Sequence, residues 1–378
     1  MRDVLLFRSK SIDPNPRVEK QAKSLATEGY NIEIYGWDKT CTNSSSEFKD
    51  FYNIKRLKFF APYNSLDILL YMPFWWIYII IKIIKNKPII IQAFDLDSLI
   101  PATIGAKIVQ SKIIYDVCDF YADLLPPNFP SFIKNIIKFV DNYLINVVDG
   151  IILANEMQKE QFNHPISNYI VINNTPLDIS KKIKNKNKYL YKGKKQEKFT
   201  IFYAGLINKY RGLDNLLKAV NGIKDIEVII AGYGENKEYM ELFSNQLNVN
   251  FIGKISHLKI LEMTIKSDLI FAFYDTQIPN NKYASPNKLF EAMMCETPIL
   301  MNNGTYASKI IKKEKCGIVV EYNDINKIRT VIKKLKNNDK IVKKLGKNGK
   351  KAYDKKYRWD IMEKRLLNLY KSIMKISK

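Results

Sequence analysis

Ala284-Ser285-Pro286-Asn287-Lys288-Leu289-Phe290-Glu291-Ala292-Met293-Met294-Cys295-Glu296-Thr297-Pro298-Ile299 reads as the capped start of a helix that runs on into a buried strand. Serine is a good N-cap, and proline suits the first helical position, where no N–H has an intrahelical partner. The free N–H groups of that start, with the helix dipole behind them, attract an anion. Lys288 and Glu291 stand three residues apart on one side of the first turns, the lysine nearer the electropositive end. A diphosphate fits against that end while Glu291 accepts from a ribose diol. The dipole supplies roughly 0.3–1 kcal/mol for such an anion, and a charge-assisted hydrogen bond from Lys288 about 1.5–3 kcal/mol more.

Strand and helix patterns alternate on both sides of this stretch. Apolar runs at 199–204, 227–231, 249–252 and 269–274 precede it, and runs at 298–301 and 318–321 follow, each leading into a helical period. The first half repeats the pattern with runs at 3–7, 31–35, 89–93, 112–117, 150–154 and 169–172. There, Asn15-Pro16 starts a helix whose Val18, Ala22 and Leu25 keep helical spacing until Gly29. Such alternation implies parallel sheets with right-handed crossovers, and 378 residues suffice for two cores. The expected fold is therefore α/β: two Rossmann-like, doubly wound domains with a cleft between them. Expected boundaries are 1–178, a lysine-rich linker at 179–198, 199–355, and a C-terminal helix at 356–378 crossing back to the first domain.

Ligands of open parallel sheets bind at the carboxyl ends of the strands. The turn after 199–204 carries Gly205, Lys209, Tyr210, Arg211 and Gly212, where glycine permits close backbone approach and Arg211 can grip phosphate with two N–H groups. The turn after 227–231 carries Gly232-Tyr233-Gly234. Asp95 and Asp97, after the run at 89–93, read as loop caps.

Sixty-one Lys and Arg against 38 Asp and Glu give a net charge of +23, which suggests nucleic acid or an anionic membrane. A nucleic-acid groove would interleave aromatics with the basic residues. From Lys181 to Lys198 there are nine lysines, with only Tyr189 and Tyr191 as aromatics, so specific nucleic-acid binding is not expected. The four cysteines form no C-x-x-C pair, and neither His164 nor His257 has a Cys or His nearby in sequence. The chain reads as reduced, without a zinc site, and the first apolar run is too short for a signal peptide.

These motifs resemble the family 4 retaining glycosyltransferases of the GT-B fold (glycosyl transferases group 1). The Ser285 to Met293 run with Thr297-Pro298-Ile299 is similar to that family's donor-binding helix and following strand. Tyr203-Ala204-Gly205 with Arg211-Gly212-Leu213 is similar to its phosphate-binding segment, and Ala231-Gly232-Tyr233-Gly234 to its central Gly-x-Gly turn. Pro16-Arg17-Val18, Gly29-Tyr30 and Asp116-Val117-Cys118-Asp119 resemble its acceptor domain, and Lys356-Tyr357-Arg358-Trp359 its closing segment.

The resemblance implies a hexosyltransferase-like enzyme that takes a sugar from a nucleotide-sugar donor. Arg211 and Lys288 would hold the diphosphate and act catalytically, Glu291 would hold the ribose, and Ser285 and Asn287 would help with the leaving phosphate. Gly205, Lys209, Gly232 and Gly234 complete the implied donor site. Arg17 and Asp119 would touch the acceptor, Asp119 also acting in catalysis. No metal or cofactor is implied, because cations and a helix start take the metal's place. Where many members carry a glutamate eight positions before the one matching Glu291, this chain has Tyr283; where many carry an arginine after the glycine matching Gly205, it has Leu206; and Cys118 stands where relatives often have histidine.

From Ile68 to Ile81 every residue is apolar or aromatic, with Trp75, Trp76 and Tyr78 in the middle and Lys82 and Lys85 behind. Fourteen residues at a rise of 1.5 Å span roughly 21 Å, short of the ~30 Å hydrocarbon core. Such a helix is either buried on two sides or rests its outer face on a membrane surface, with lysines on anionic lipid. The second is expected, through Ile68 to Lys85, and it suits a lipid-linked or cell-surface glycan acceptor in polysaccharide biosynthesis. The expected location is cytoplasmic, peripheral to the inner face of the cell membrane. The alternatives are a GT-B sugar-nucleotide epimerase, which would want further acid and base groups, and a non-catalytic sugar-nucleotide or polyanion-binding protein.

Overall fold

Val4-Leu5-Leu6-Phe7, apolar on both faces, is the centre of the first sheet, as a strand covered by helices on both sides must be. The computed structural model describes residues 3–62, 67–125, 129–180, 183, 198–234 and 247–375. Two compact units result, one of Met1–Asn173 with Met362–Lys378 and one of Asn174–Ile361. The division falls ahead of the expected 178 because Tyr353 donates to the Pro176 carbonyl at 2.8 Å and Lys350 pairs with Asp178 at 3.1 Å, tying these residues to the second unit. Apart from Ile183, the expected linker from 181 to 197 lies outside the described residues.

The first unit is built on β1 (Asp3–Arg8), β2 (Asn31–Asp38), β3 (Ser46–Lys49), β4 (Tyr52–Lys58), β5 (Ile90–Phe94), β6 (Lys112–Val117), β7 (Gly150–Leu153) and β8 (Tyr169–Val171), in the order β3-β4-β2-β1-β5-β6-β7-β8. All pairings are parallel except that of β3 with β4. One face carries α2 (Ile68–Asn86), α3 (Leu96–Val109) and α5 (Ser131–Leu144), with short α4 (Tyr121–Leu124) beside α5. Side chains of α1 (Pro16–Thr27) and of the last helix reach the polar residues of the opposite face. Asn15 caps α1, its side chain accepting from Val18 N–H, and Pro16 opens the helix as the sequence predicts.

In the second unit, β9 (Phe199–Leu206), β10 (Ile226–Tyr233), β11 (Val249–Gly253), β12 (Leu269–Ala272), β13 (Ile299–Asn302) and β14 (Gly317–Val320) form an all-parallel sheet ordered β11-β10-β9-β12-β13-β14. This is the Rossmann order, with its reversal between β9 and β12. Its helices are α6 (Leu213–Val220), α7 (His257–Lys266), α8 (Pro279–Tyr283), α9 (Asn287–Cys295), α10 (Tyr306–Glu314), α11 (Ile325–Lys336) and α12 (Asp339–Ala352). The final helix, α13 (Trp359–Lys375), belongs to the first unit from Met362 onward rather than from 356. There it buries Leu366, Leu369, Tyr370 and Ile373. Gly150 is small for this reason: a Cβ on it would lie 2.8 Å from Ile373 Cδ1.

Two expectations need correction. Helix α2 has 19 residues, not fourteen, and by length and composition is apolar enough to cross a membrane. The length argument falls, but Met72, Trp75, Ile79 and Ile83 form a stripe buried in the first unit's core. The opposite side is exposed, so within the described residues the helix is not buried twice.

Arg17, expected to touch the acceptor, is buried in the first unit. Its Nε and Nη2 donate to Asp116 Oδ1 at 3.0 and 2.7 Å, and its Nη1 to the Ile172 carbonyl at 2.8 Å. Gln21 and Gln92 donate to Asp116 Oδ2, and Tyr370 donates to Gln92. A guanidinium spent on a wholly buried carboxylate holds the fold and is not available to an acceptor. Arg17→Ala should therefore cost about 3–5 kcal/mol, because it leaves Asp116 charged and uncompensated. Urea denaturation checks this: the midpoint falls, whereas an unchanged midpoint with weakened acceptor use would return Arg17 to the binding role.

Candidate functional site

The reversal of strand order places a crevice beyond the carboxyl ends of β9 and β12. Beta-9 delivers Tyr203 and Gly205 to it, and the chain after β12 delivers Tyr274. Asn302, buried at the end of β13, brackets Tyr274: its Oδ1 accepts from Tyr274 N–H at 2.7 Å and its Nδ2 donates to the Tyr274 carbonyl at 2.9 Å. The 3-10 turn Lys209–Arg211 follows β9, and Asp275 N–H donates to the Tyr210 carbonyl at 3.0 Å, joining the two segments.

Two cations share this floor. The Arg211 guanidinium lies 4.5 Å from the Tyr274 ring centroid, and Lys288 Nζ lies 4.3 Å from that of Tyr203 and 5.6 Å from that of Tyr274. Among the described residues neither cation has a salt bridge. Burial and the nearby Arg211 charge lower the Lys288 ammonium to about 7, against the opposing pull of Glu291. Arg211 Nη1 and Ser285 Oγ are both buried without a hydrogen-bond partner among the described residues. Gly205, at φ +148°, leaves room for the lysine, since a Cβ there would lie 2.8 Å from Lys288 Nζ.

Helix α9 starts at Asn287, so Pro286 is the cap residue and Ser285 lies outside the helix. Pro286 is extended, at ψ 131°, which carries the serine away from the N–H groups it was expected to cap. The Ser285 carbonyl instead accepts from Asn174 Nδ2 at 3.2 Å. Asn287 is exposed at the helix start. One turn in, Glu291 is 6% exposed and its Oε1 lies 2.8 Å from His257 Nε2, at the start of α7.

The structure thus gathers Gly205, Arg211, Lys288 and Glu291 with the start of α9. Lys209 is exposed, its Nζ over the Tyr210 ring at 5.0 Å. Gly232 and Gly234 are accounted for by backbone packing: Cβ atoms there would fall 1.8 Å from the Gly205 carbonyl oxygen and 2.1 Å from that of Ile207. Tyr274 and Asn302 were not singled out from sequence, Tyr203 was named only within the resembling segment, and His257 only as lacking a metal-ligand neighbour. The position of Tyr274 just past a strand end is the one signal that could have found it.

Asp119 lies in the first unit, half-buried beyond the carboxyl end of β6. Asp95 Oδ1 accepts the N–H groups of Cys118 and Asp119 at 3.0 and 3.2 Å, and its Oδ2 lies 3.6 Å from Arg8 Nη2. The expected loop cap is real, although it serves the β6 turn and not α3. Asp95 adopts φ +65° to do so, a strain ordinarily reserved for glycine. Asp97 binds Ser9 and Tyr121 through one carboxylate oxygen.

Residues 185–352 match the family described as glycosyl transferases group 1. The capsular polysaccharide biosynthesis glycosyltransferase CapM of Staphylococcus aureus is 25% identical over 394 residues, covering 99% of this chain and 97% of its own. An uncharacterized glycosyltransferase of Methanocaldococcus jannaschii is 28% identical over 190 residues, covering 48% of this chain and 46% of its own. Among solved structures, a sucrose-phosphate synthase from Thermosynechococcus elongatus aligns over 100% of both chains with a TM-score of 0.80 at 14% identity. Anabaena HepE in complex with UDP-glucose aligns over 98% of this chain and 99% of its own, with a TM-score of 0.71 at 13% identity. The fold is GT-B.

A lysine near pH 7 beside a second cation should take up a proton when a diphosphate arrives. Diphosphate affinity is therefore expected to fall as pH rises above about 7, by up to about tenfold per unit. Calorimetric titration of pyrophosphate between pH 6 and 9 checks this, and Lys288→Arg, charged throughout, should flatten the slope. Gly205→Ala should weaken the same binding by displacing the lysine.

Proposed function

We propose that the chain is a GT-B glycosyltransferase of group 1 that moves a sugar, with retention at the anomeric carbon, from a nucleotide-sugar donor to a growing cell-surface polysaccharide or its lipid-linked precursor. The observation that carries the donor assignment is the pair Arg211 and Lys288, two cations on one aromatic floor with no carboxylate bound to either among the described residues. A diphosphate supplies the missing charge. Glu291, fixed by His257 through one oxygen, keeps the other for a ribose hydroxyl. Ser285 Oγ and the first N–H groups of α9 suit the distal phosphate. UDP-glucose in HepE supports a nucleotide-sugar donor, and the role in CapM's name supports a polysaccharide acceptor.

In this reading the bond from the anomeric carbon to the leaving phosphate oxygen breaks while the acceptor oxygen attacks the same face of the sugar. The acceptor's proton passes to the departing phosphate. Arg211 and Lys288 stabilise the charge gathering on that phosphate, so no metal is required at this step. Asp119, with its N–H held by Asp95, orients the acceptor. The exposed side of α2, within Ile68 to Lys85, rests on the cytoplasmic face of the cell membrane, where a lipid-linked acceptor resides.

The test is thermal stability and product formation with a panel of nucleotide sugars in EDTA. One donor should raise the melting temperature of the wild type and yield transfer or slow hydrolysis, and Glu291→Ala should lose the shift. Arg211→Ala should lower kcat/KM by roughly a hundredfold or more. An equal shift in Glu291→Ala would remove α9 from the donor site, and binding without turnover would favour the non-catalytic binding protein. Asp119→Asn should keep the donor-induced shift but lose transfer.

A further inference from the structure

Three helices, α2, α3 and α5, pack side by side on one face of the eight-stranded sheet, with α3 touching both neighbours. Helix α5 packs Ile137, Val140 and Leu144 against the core. On its other side stand Phe132, Ile136, Phe139 and Tyr143, exposed by 63%, 57%, 71% and 61%. Their spacing of four, three and four residues aligns them along one helix side. Phe74, Ile77 and Ile81 of α2 and Ile104 and Ile108 of α3 are also exposed by about half or more. Side chains of this size and exposure present roughly 800 Å² of apolar surface, more than the few hundred that soluble monomers ordinarily leave open.

The solvent-accessible charges within these helices have one sign. Lys82 and Lys85 of α2, Lys107 of α3, and Lys134 and Lys138 of α5 are all solvent-accessible, while the acids, Asp97 and Asp141, are buried. A protein partner of ordinary composition would not require this pattern. Apolar side chains ringed by lysines match an acyl layer beneath anionic headgroups. Between α3 and α5 opens a cavity of about 540 Å³ lined by Ile104, Tyr143, Val147 and Lys107, with Lys112 paired to Asp149 at 2.9 Å at its edge.

We propose that α5, together with α3, extends the α2 contact into a three-helix platform for an anionic bilayer, with Phe132 and Phe139 inserted at the headgroup level. The proposal rests on the membrane reading of α2 and adds α5 as a second, necessary strip. Helices that follow parallel strands begin at the carboxyl edge of the sheet. Phe132, in the first turn of α5, therefore stands toward the edge that carries Asp119, and the platform brings a lipid-linked acceptor to that edge.

The test is co-sedimentation of the full chain with vesicles of phosphatidylcholine alone or with phosphatidylglycerol. Compared are the wild type, Phe132→Ser/Phe139→Ser on α5, and Phe74→Ser/Ile77→Ser on α2, with melting temperature and donor binding confirming that the folds are intact. Each double variant should partition about tenfold less than wild type, and wild type about tenfold less onto neutral vesicles. Wild-type partition by the α5 variant, with loss in the α2 variant, overturns the platform and leaves the α2 reading standing. No binding of wild type to anionic vesicles overturns both. Dimerisation of wild type without vesicles, abolished on α5, assigns the face to a second copy and overturns the bilayer.

Discussion

Arg211 and Lys288 stand over Tyr203 and Tyr274 as two cations that no carboxylate neutralises within the described residues, and the second unit is arranged around holding them there. Burial, and then the like charge of Arg211 beside it, lower the lysine to about 7. The fold sustains that cost with fixed geometry. Asn302 pins Tyr274 by both backbone groups, the Tyr210 carbonyl ties the β12 loop to the arginine turn, and Gly205 gives up its Cβ to the lysine. A diphosphate placed between them would relieve the repulsion, which is the physical basis of the proposed donor site.

The first unit repeats that order in six of its eight strands, β4-β2-β1-β5-β6-β7, and treats its buried arginine in the opposite way. Arg17 is saturated by Asp116 and the Ile172 carbonyl, and that network, continued through Gln92 to Tyr370, joins α13 to the sheet. A buried cation with its anion in place belongs to the architecture. Near Asp119 the strain takes another form, in the left-handed backbone of Asp95, which lets one carboxylate fix the β6 turn.

Much of this was legible because parallel strands covered on both faces write themselves as apolar runs. Runs such as 112–117 and 199–204 became β6 and β9, and strand-end reasoning led to Gly205 and Arg211. The antiparallel pair β3 and β4 escaped notice because Glu47, Lys49, Lys55 and Arg56 break any apolar run at that edge. Long-range partnerships were invisible as well. Nothing near Arg17 in sequence announces Asp116, 99 residues away, and nothing near Glu291 announces His257, 34 residues before it. Ser285 was misread for a local reason, since a Ser-Pro pair fits a cap equally well when the helix starts one residue later. In α2, the uniform apolar composition concealed a buried stripe and an exposed one that only packing distinguishes.

If the unmatched cation pair serves a diphosphate, the affinities of a nucleoside, its monophosphate and its diphosphate for the wild-type enzyme, compared by calorimetry in EDTA, must differ. The diphosphate should bind at least about a hundredfold more tightly than the nucleoside, as two charge-assisted contacts worth about 1.5–3 kcal/mol each require. Equal affinity across the three would mean that Arg211 and Lys288 do not meet the phosphates, and would contradict the account.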